Sequence, residues 1–133
     1  MKHLLSVLSL ICILSACASK NSEVTSTKSD KTIDMTKSTL LYFHSNYRCA
    51  TCLAVEKVAK ASLAEIDSTL SFYAIDISAE ENKELAKKYG VSGQSLLLVK
   101  GDKSINMTND AFMYARSQPE KVKARIAEGL ASL

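Results

Sequence analysis

The stretch Leu40-Leu41-Tyr42-Phe43-His44-Ser45-Asn46-Tyr47-Arg48-Cys49-Ala50-Thr51-Cys52 joins an apolar run to a short polar loop and two cysteines three residues apart. The run does not alternate between apolar and polar, which predicts a strand over 38–44 buried on both faces. Beyond it, Cys52, Val55, Ala59, Leu63 and Ile66 recur at intervals of three or four and predict a helix over about 49–66. Glu56 and Lys60 lie across that helix four apart, acid first, the better orientation for a pair. The cysteines therefore stand where a strand passes into a helix. The helix N-terminus supplies partial positive charge and Arg48 a full one, so a thiolate at Cys49 is favoured, with Arg48 its candidate stabiliser. The same periodicity puts Cys52 beneath the helix and Cys49 at its exposed tip. That asymmetry suits an attacking thiol (Cys49, the nucleophile) and a resolving one (Cys52).

Downstream, residues 70–77 read as a second apolar strand ending near Asp76. Ser78 and Glu81 have capping-box spacing ahead of a helix that carries Leu85, Ala86 and Tyr89 on one side and stops at Gly90. Leu96-Leu97-Leu98-Val99 predicts a third buried strand, and Gly101-Asp102 a hairpin turn into an edge strand over 104–108. A short helical stretch over 110–115 precedes a last helix over about 118–130. Ser117 and Glu120 repeat the capping-box spacing there, and Val122, Ile126 and Leu130 form the apolar stripe.

This order, with the cysteine pair at the first strand–helix junction, resembles the thioredoxin fold. The likeness continues through Ala74-Ile75-Asp76, Lys88-Tyr89-Gly90-Val91-Ser92-Gly93 and Leu96-Leu97-Leu98-Val99-Lys100-Gly101, and so covers most of the chain from Thr39 onward. It implies an α/β domain over 38–133 with a central mixed four-stranded sheet flanked by helices. It also implies thiol–disulfide chemistry at Cys49 and Cys52, with no organic cofactor. The chain differs from most thioredoxins in having no Trp, in carrying Arg48 before the pair, and in holding Ala50-Thr51 inside it. Where the family has a cis-proline opposite the dithiol, this chain has Ser95, which the resemblance turns toward the sulfurs. A non-proline cis bond costs about 2.5–4 kcal/mol, so Gln94–Ser95 is trans or held cis by its surroundings. Tyr42 and Phe43 stand nearest the place where thioredoxins keep a buried Asp, so that base is missing.

The N-terminus is read separately. Lys2 and His3 precede an apolar run over 4–14, the length of a signal-peptide core and shorter than the roughly 20 residues of a membrane span. The run ends in Leu14-Ser15-Ala16-Cys17, which resembles the lipobox of bacterial lipoproteins. That likeness implies a signal peptide over 1–16, cleavage before Cys17, and a diacylglycerol on the Cys17 sulfur. Residues 17–37 are rich in Ser, Thr, Lys, Asn and Asp and read as a tether. Such a tether spans on the order of 25 Å as a random coil. Ala18 after Cys17 is not the aspartate associated with inner-membrane retention, which leans toward an outer-membrane anchor facing the periplasm.

Of the four cysteines, Cys12 then leaves with the signal and Cys17 is consumed by lipid, leaving Cys49 and Cys52 as an isolated pair. Three readings of the pair stand side by side. One is disulfide exchange with cell-envelope proteins that carry thiols or disulfides, served by a redox donor. The second is soft-metal or metalloid binding by Cys49 and Cys52, with His44 as a candidate third ligand. The third is an inert structural bridge, to which a two-residue gap contributes little loop-closure entropy. Tyr47 is a candidate cover for the pair in place of the missing Trp. A formal net charge of +3 with mixed signs carries no nucleic-acid signal.

Overall fold

The computed structural model describes residues 33–133; the signal and lipidation sites and most of the tether lie outside the described residues. Four strands and four helices follow one another as β1 (Thr39–His44), α1 (Ala50–Ile66), β2 (Ser71–Asp76), α2 (Lys83–Lys88), β3 (Ser95–Lys100), β4 (Lys103–Asn106), α3 (Thr108–Tyr114) and α4 (Pro119–Ser132). A single 3₁₀ turn, Glu80–Asn82, leads into α2.

The strands form one mixed sheet in the order β2-β1-β3-β4. β1 runs parallel to β2, with Leu40 opposite Phe72 and His44 opposite Asp76. It runs antiparallel to β3, with Leu40 opposite Leu98 and Phe43 opposite Ser95. β3 and β4 pair antiparallel through the turn at Gly101 and Asp102, where Gly101 has φ +58° and donates its N–H to the Met35 carbonyl at 2.6 Å. The sheet flanked by helices is the α/β, thioredoxin-like arrangement that the element order implies.

The non-alternating run in β1 has its reason in this topology. Leu40 and Tyr42 face a core built with Val55, Ala59 and Leu63 of α1, Ala111 of α3, and Val122 and Ile126 of α4. Leu41 and Phe43 face the opposite core, with Ile75, Leu97, Val99 and Ala86 of α2, and with Ile33, Met35 and Tyr89 at its margin. These four of the six β1 residues are fully buried, which few positions outside a central strand require. The strand has no freedom to slip, because a one-residue shift would exchange the two faces.

Neither capping box forms. The Ser78 amide donates to Asp76 Oδ1 at 2.8 Å, so the carboxylate at the end of β2 takes that N–H into an Asx turn. The chain passes on through the 3₁₀ turn with Ala79 at its start. At α4, Ser117 N–H returns to the Tyr114 carbonyl (3.1 Å) and closes the end of α3, while Pro119 supplies the first helical residue with its preset φ. The stop at Gly90 does form. Its φ of +64° allows Gly90 N–H to reach the Lys87 carbonyl (3.0 Å) and Val91 N–H the Ala86 carbonyl (2.8 Å), a Schellman closure.

The last helix packs through one position that its apolar stripe does not reveal. Gly129 is buried, and a Cβ there would lie 3.1 Å from Leu98 Cδ2 and press on Met107 Cε. α4 therefore approaches the sheet closely because this residue has no side chain. Replacing a helical glycine alone favours the helix by about 1 kcal/mol. Here the overpacking outweighs that gain, and Gly129→Val is expected to lower stability by about 2 kcal/mol in urea unfolding.

Candidate active site

β1 ends at His44, and the loop that follows is held by Ser45 Oγ donating to the Tyr47 carbonyl at 2.9 Å. The loop delivers Cys49 to the N-cap of α1 in an extended conformation (φ −78°, ψ 168°). In that place a serine or aspartate oxygen commonly accepts a free helical N–H. Here the Cys49 sulfur does so, taking the Cys52 amide at 3.3 Å, while the Cys49 carbonyl takes Leu53 N–H at 3.1 Å. No acidic residue stands in the first turn of α1, so the positive end of the helix acts on this sulfur without a competing negative charge there.

Cys49 and Cys52 are joined as a disulfide, with their Cα atoms 5.1 Å apart. Their exposure is unequal: Cys49 is exposed and Cys52 is 1% exposed. The exposure of the two residues is unequal in the sense that the helical register predicts.

Beneath the pair lies one of the two residues named above for the place of the missing Asp. Tyr42, fully buried in β1, donates its hydroxyl to the Cys52 carbonyl at 3.0 Å. Burial pushes the phenol above its ordinary value, opposed by the positive charge of Arg48 beside it. Arg48 lies with its guanidinium 5.8 Å from the centre of the Tyr42 ring and is ion-paired to Glu56. The other Glu56 oxygen accepts from Lys60 at 2.6 Å, as the four-residue spacing predicts. Glu56 was legible only as half of a helix pair. One signal for its wider role is that it falls four residues after Cys52 and seven after Cys49, and so returns to their side of the helix.

His44 Nδ1 contacts the Ser45 carbonyl at 3.0 Å, and its ring centre lies 5.8 Å from that of Tyr42. Among the described residues no group of three or more His, Cys, Asp or Glu side chains is placed to hold a metal ion. Tyr47 is 78% exposed and Leu53 52% exposed, so neither is packed down as a fixed lid. Ser95 opens β3 opposite Phe43, and its hydroxyl donates to the Gly93 carbonyl at 3.3 Å. The described residues contain no cis peptide, and Gln94–Ser95 is trans. Cys17 lies outside the described residues.

No family model matches the chain, and no curated protein matches it. Among solved structures, one described as "Structure of a malarial protein" is similar at 16% identity, covering 58% of this chain and 93% of that one, with a TM-score of 0.42. The chemistry that the site supports comes from its own geometry: a sulfur pair within bonding reach, suited to redox or dithiol function.

The Tyr42 contact leads to a measurable expectation. The folded phenol titrates above its unfolded value, so the stability it contributes is fully present below about pH 10 and is lost as pH rises through the raised value. Tyr42→Phe is expected to cost about 1 kcal/mol at neutral pH, the worth of one hydrogen bond. In unfolding measured across the alkaline range, it is also expected to flatten the decline above pH 10.

Proposed function

We propose that the chain is a thiol–disulfide oxidoreductase of the bacterial cell envelope, exchanging disulfides with partner proteins through Cys49 and Cys52. One observation carries the reading: of the two bonded cysteines, Cys49 is an exposed helix cap and Cys52 is 1% exposed. The unequal exposure favours attack by an incoming thiolate at Cys49 over Cys52.

In the reductive half, a thiolate of a reduced donor attacks Cys49 Sγ. The donor–Cys49 bond forms, the Cys49–Cys52 bond breaks, and Cys52 leaves as a thiolate that takes a proton from water. A second donor thiolate then attacks the donor sulfur, freeing Cys49. The donor ends as a disulfide, having passed two electrons to the protein pair. Toward a protein substrate, the Cys49 thiolate attacks the substrate disulfide, and Cys52 closes the bridge as the substrate departs reduced. The helix end favours negative charge on Cys49 at each step. With a substrate dithiol the same steps run in reverse.

The site supports Cys49 as nucleophile and Cys52 as resolving thiol. Roles for Ser95, at the position where the thioredoxin likeness has its cis-proline, and for Arg48, the residue before Cys49, are part of the same proposal. The same proposal has the domain on the extracytoplasmic side, held through a lipid on Cys17 and facing the periplasm from the outer membrane; the lipobox-like end supports it. Its partners there are envelope proteins with thiols or disulfides and a redox donor.

Two experiments test this. Cys52→Ser is expected to accumulate mixed disulfides that run as higher bands on non-reducing gels and vanish with dithiothreitol, whereas Cys49→Ser accumulates none. If Cys52→Ser traps no partner, exchange with partner proteins is wrong, whether or not low-molecular-weight thiols interconvert the wild-type forms. Protection of both thiols from alkylation by copper(I), zinc or arsenite, without trapping, would point to metal capture instead. For the anchor, Cys17→Ser is expected to lose incorporation of labelled fatty acid and to leave the membrane fraction. Retention of the label would refute lipidation at that sulfur.

A further inference from the structure

The charges beside the disulfide are arranged in a way that bears on its redox poise. Arg48 is the residue before Cys49, yet its guanidinium is paired with Glu56, one helical turn beyond Cys52, and rests at the Tyr42 ring. The pair is half-buried, with 28% of the Arg48 side chain and 14% of the Glu56 side chain exposed, so solvent screens it only in part. The Arg48 Nε is buried without a hydrogen-bond partner, so the guanidinium accepts a cost to stay in this position. Glu56 also holds Lys60 and thus draws both nearby cations toward the body of the helix.

We propose that Glu56 sets the redox poise of the Cys49–Cys52 pair by pairing with the Arg48 guanidinium and so offsetting the positive charge of the residue before Cys49. Glu56 is a positioning residue: it acts through Arg48. The inference rests on the exchange reading for its biological meaning, but its test needs only two titratable thiols.

The physical chain is short. Reduction by two low-molecular-weight thiols breaks the Cys49–Cys52 bond, oxidises the donors to one disulfide and delivers two electrons and two protons to the protein. The Cys49 thiol then releases its proton to water to the extent that its surroundings favour the anion. A free guanidinium beside Cys49 would favour the anion, stabilise the dithiol form and make the disulfide more oxidising. A guanidinium held by Glu56 does less of this, and the pair stays more reducing. The other groups around it do not supply the same control. Tyr42 is neutral below the alkaline range, His44 contacts the backbone of Ser45, and Lys60 is itself held by Glu56.

The test uses the full domain with four variants: Glu56→Gln, Arg48→Gln, the double variant, and Glu65→Gln. The last removes one negative charge from the same helix, nine residues on, where Glu65 pairs with Lys123 of α4. Two readouts are taken: the pH profile of Cys49 alkylation in the reduced protein, and the equilibrium between disulfide and dithiol in glutathione buffers. Glu56→Gln is expected to lower the Cys49 midpoint by about one unit and to move the glutathione equilibrium about three- to tenfold toward the dithiol. Arg48→Gln raises the midpoint or leaves it unchanged, the double variant loses the Glu56→Gln shift, and Glu65→Gln matches wild type. An unchanged Glu56→Gln profile, or the same shift in the Arg48→Gln background, overturns the inference. If the profile shifts as expected while Cys52→Ser traps no partner, the tuning stands and the exchange reading falls.

Discussion

The sulfur of Cys49 accepts the Cys52 amide at the first turn of α1, and the rest of the site follows from that contact. It places one sulfur at the helix end, where partial positive charge is greatest, and carries the other a turn inward under the helix. It holds only because the chain arrives at Cys49 along a fixed path. β1 supplies the path: it pairs on both sides and is buried on both faces, so its last residue cannot wander. The central strand, the capping sulfur and the half-hidden disulfide form one mechanical series. Loosening the first would blur the difference in exposure on which the proposed attack at Cys49 rests.

Much of this was legible because it rests on periodicity. The unbroken apolar run of Leu40 to Phe43 could only be a central strand, and Cys52-Val55-Ala59-Leu63 could only share one helical face. Gly90 and Gly101 marked their turns because positive φ is a property of glycine itself. The illegible parts depended on competition. Ser78-x-x-Glu81 has the right letters for a cap, but Asp76 sits closer to the Ser78 amide and wins it. Ser117-x-x-Glu120 loses its place to the end of α3 and to Pro119. Gly129 gave no signal at all, because an absent side chain matters only against the Leu98 and Met107 that the tertiary fold brings to it.

In the site itself, the sulfurs were legible and their supports were not. Tyr42 read as a strand residue standing where a buried Asp was missing, and its hydroxyl, which must find a partner when fully buried, was assigned none. The nearest acceptor proved to be the Cys52 carbonyl. Arg48 read as a charge aimed at Cys49, because sequence neighbours are assumed to be spatial partners. Its side chain is long enough to reach past the cysteine to Glu56, eight residues on. A spacing rule built for helices cannot pair a loop residue with a helical one.

The contact between Tyr42 and Cys52 bears on how the site manages protons. A buried carboxylate under a dithiol can exchange protons with it near neutral pH, since both titrate within reach of each other. A buried phenol cannot: its value is raised above an already alkaline range, so it remains a neutral donor throughout the pH span in which thiols ionise. Tyr42 can therefore hold the Cys52 backbone in place without altering its own charge as the disulfide opens and closes. The proton that the Cys52 thiolate takes up must come from water entering behind the departing sulfur, or from the attacking partner. That requirement makes the exposed side of the pair, around Cys49, the route for protons. Under the proposed exchange, a docking partner would share that opening, and one that sealed it tightly would slow its own release.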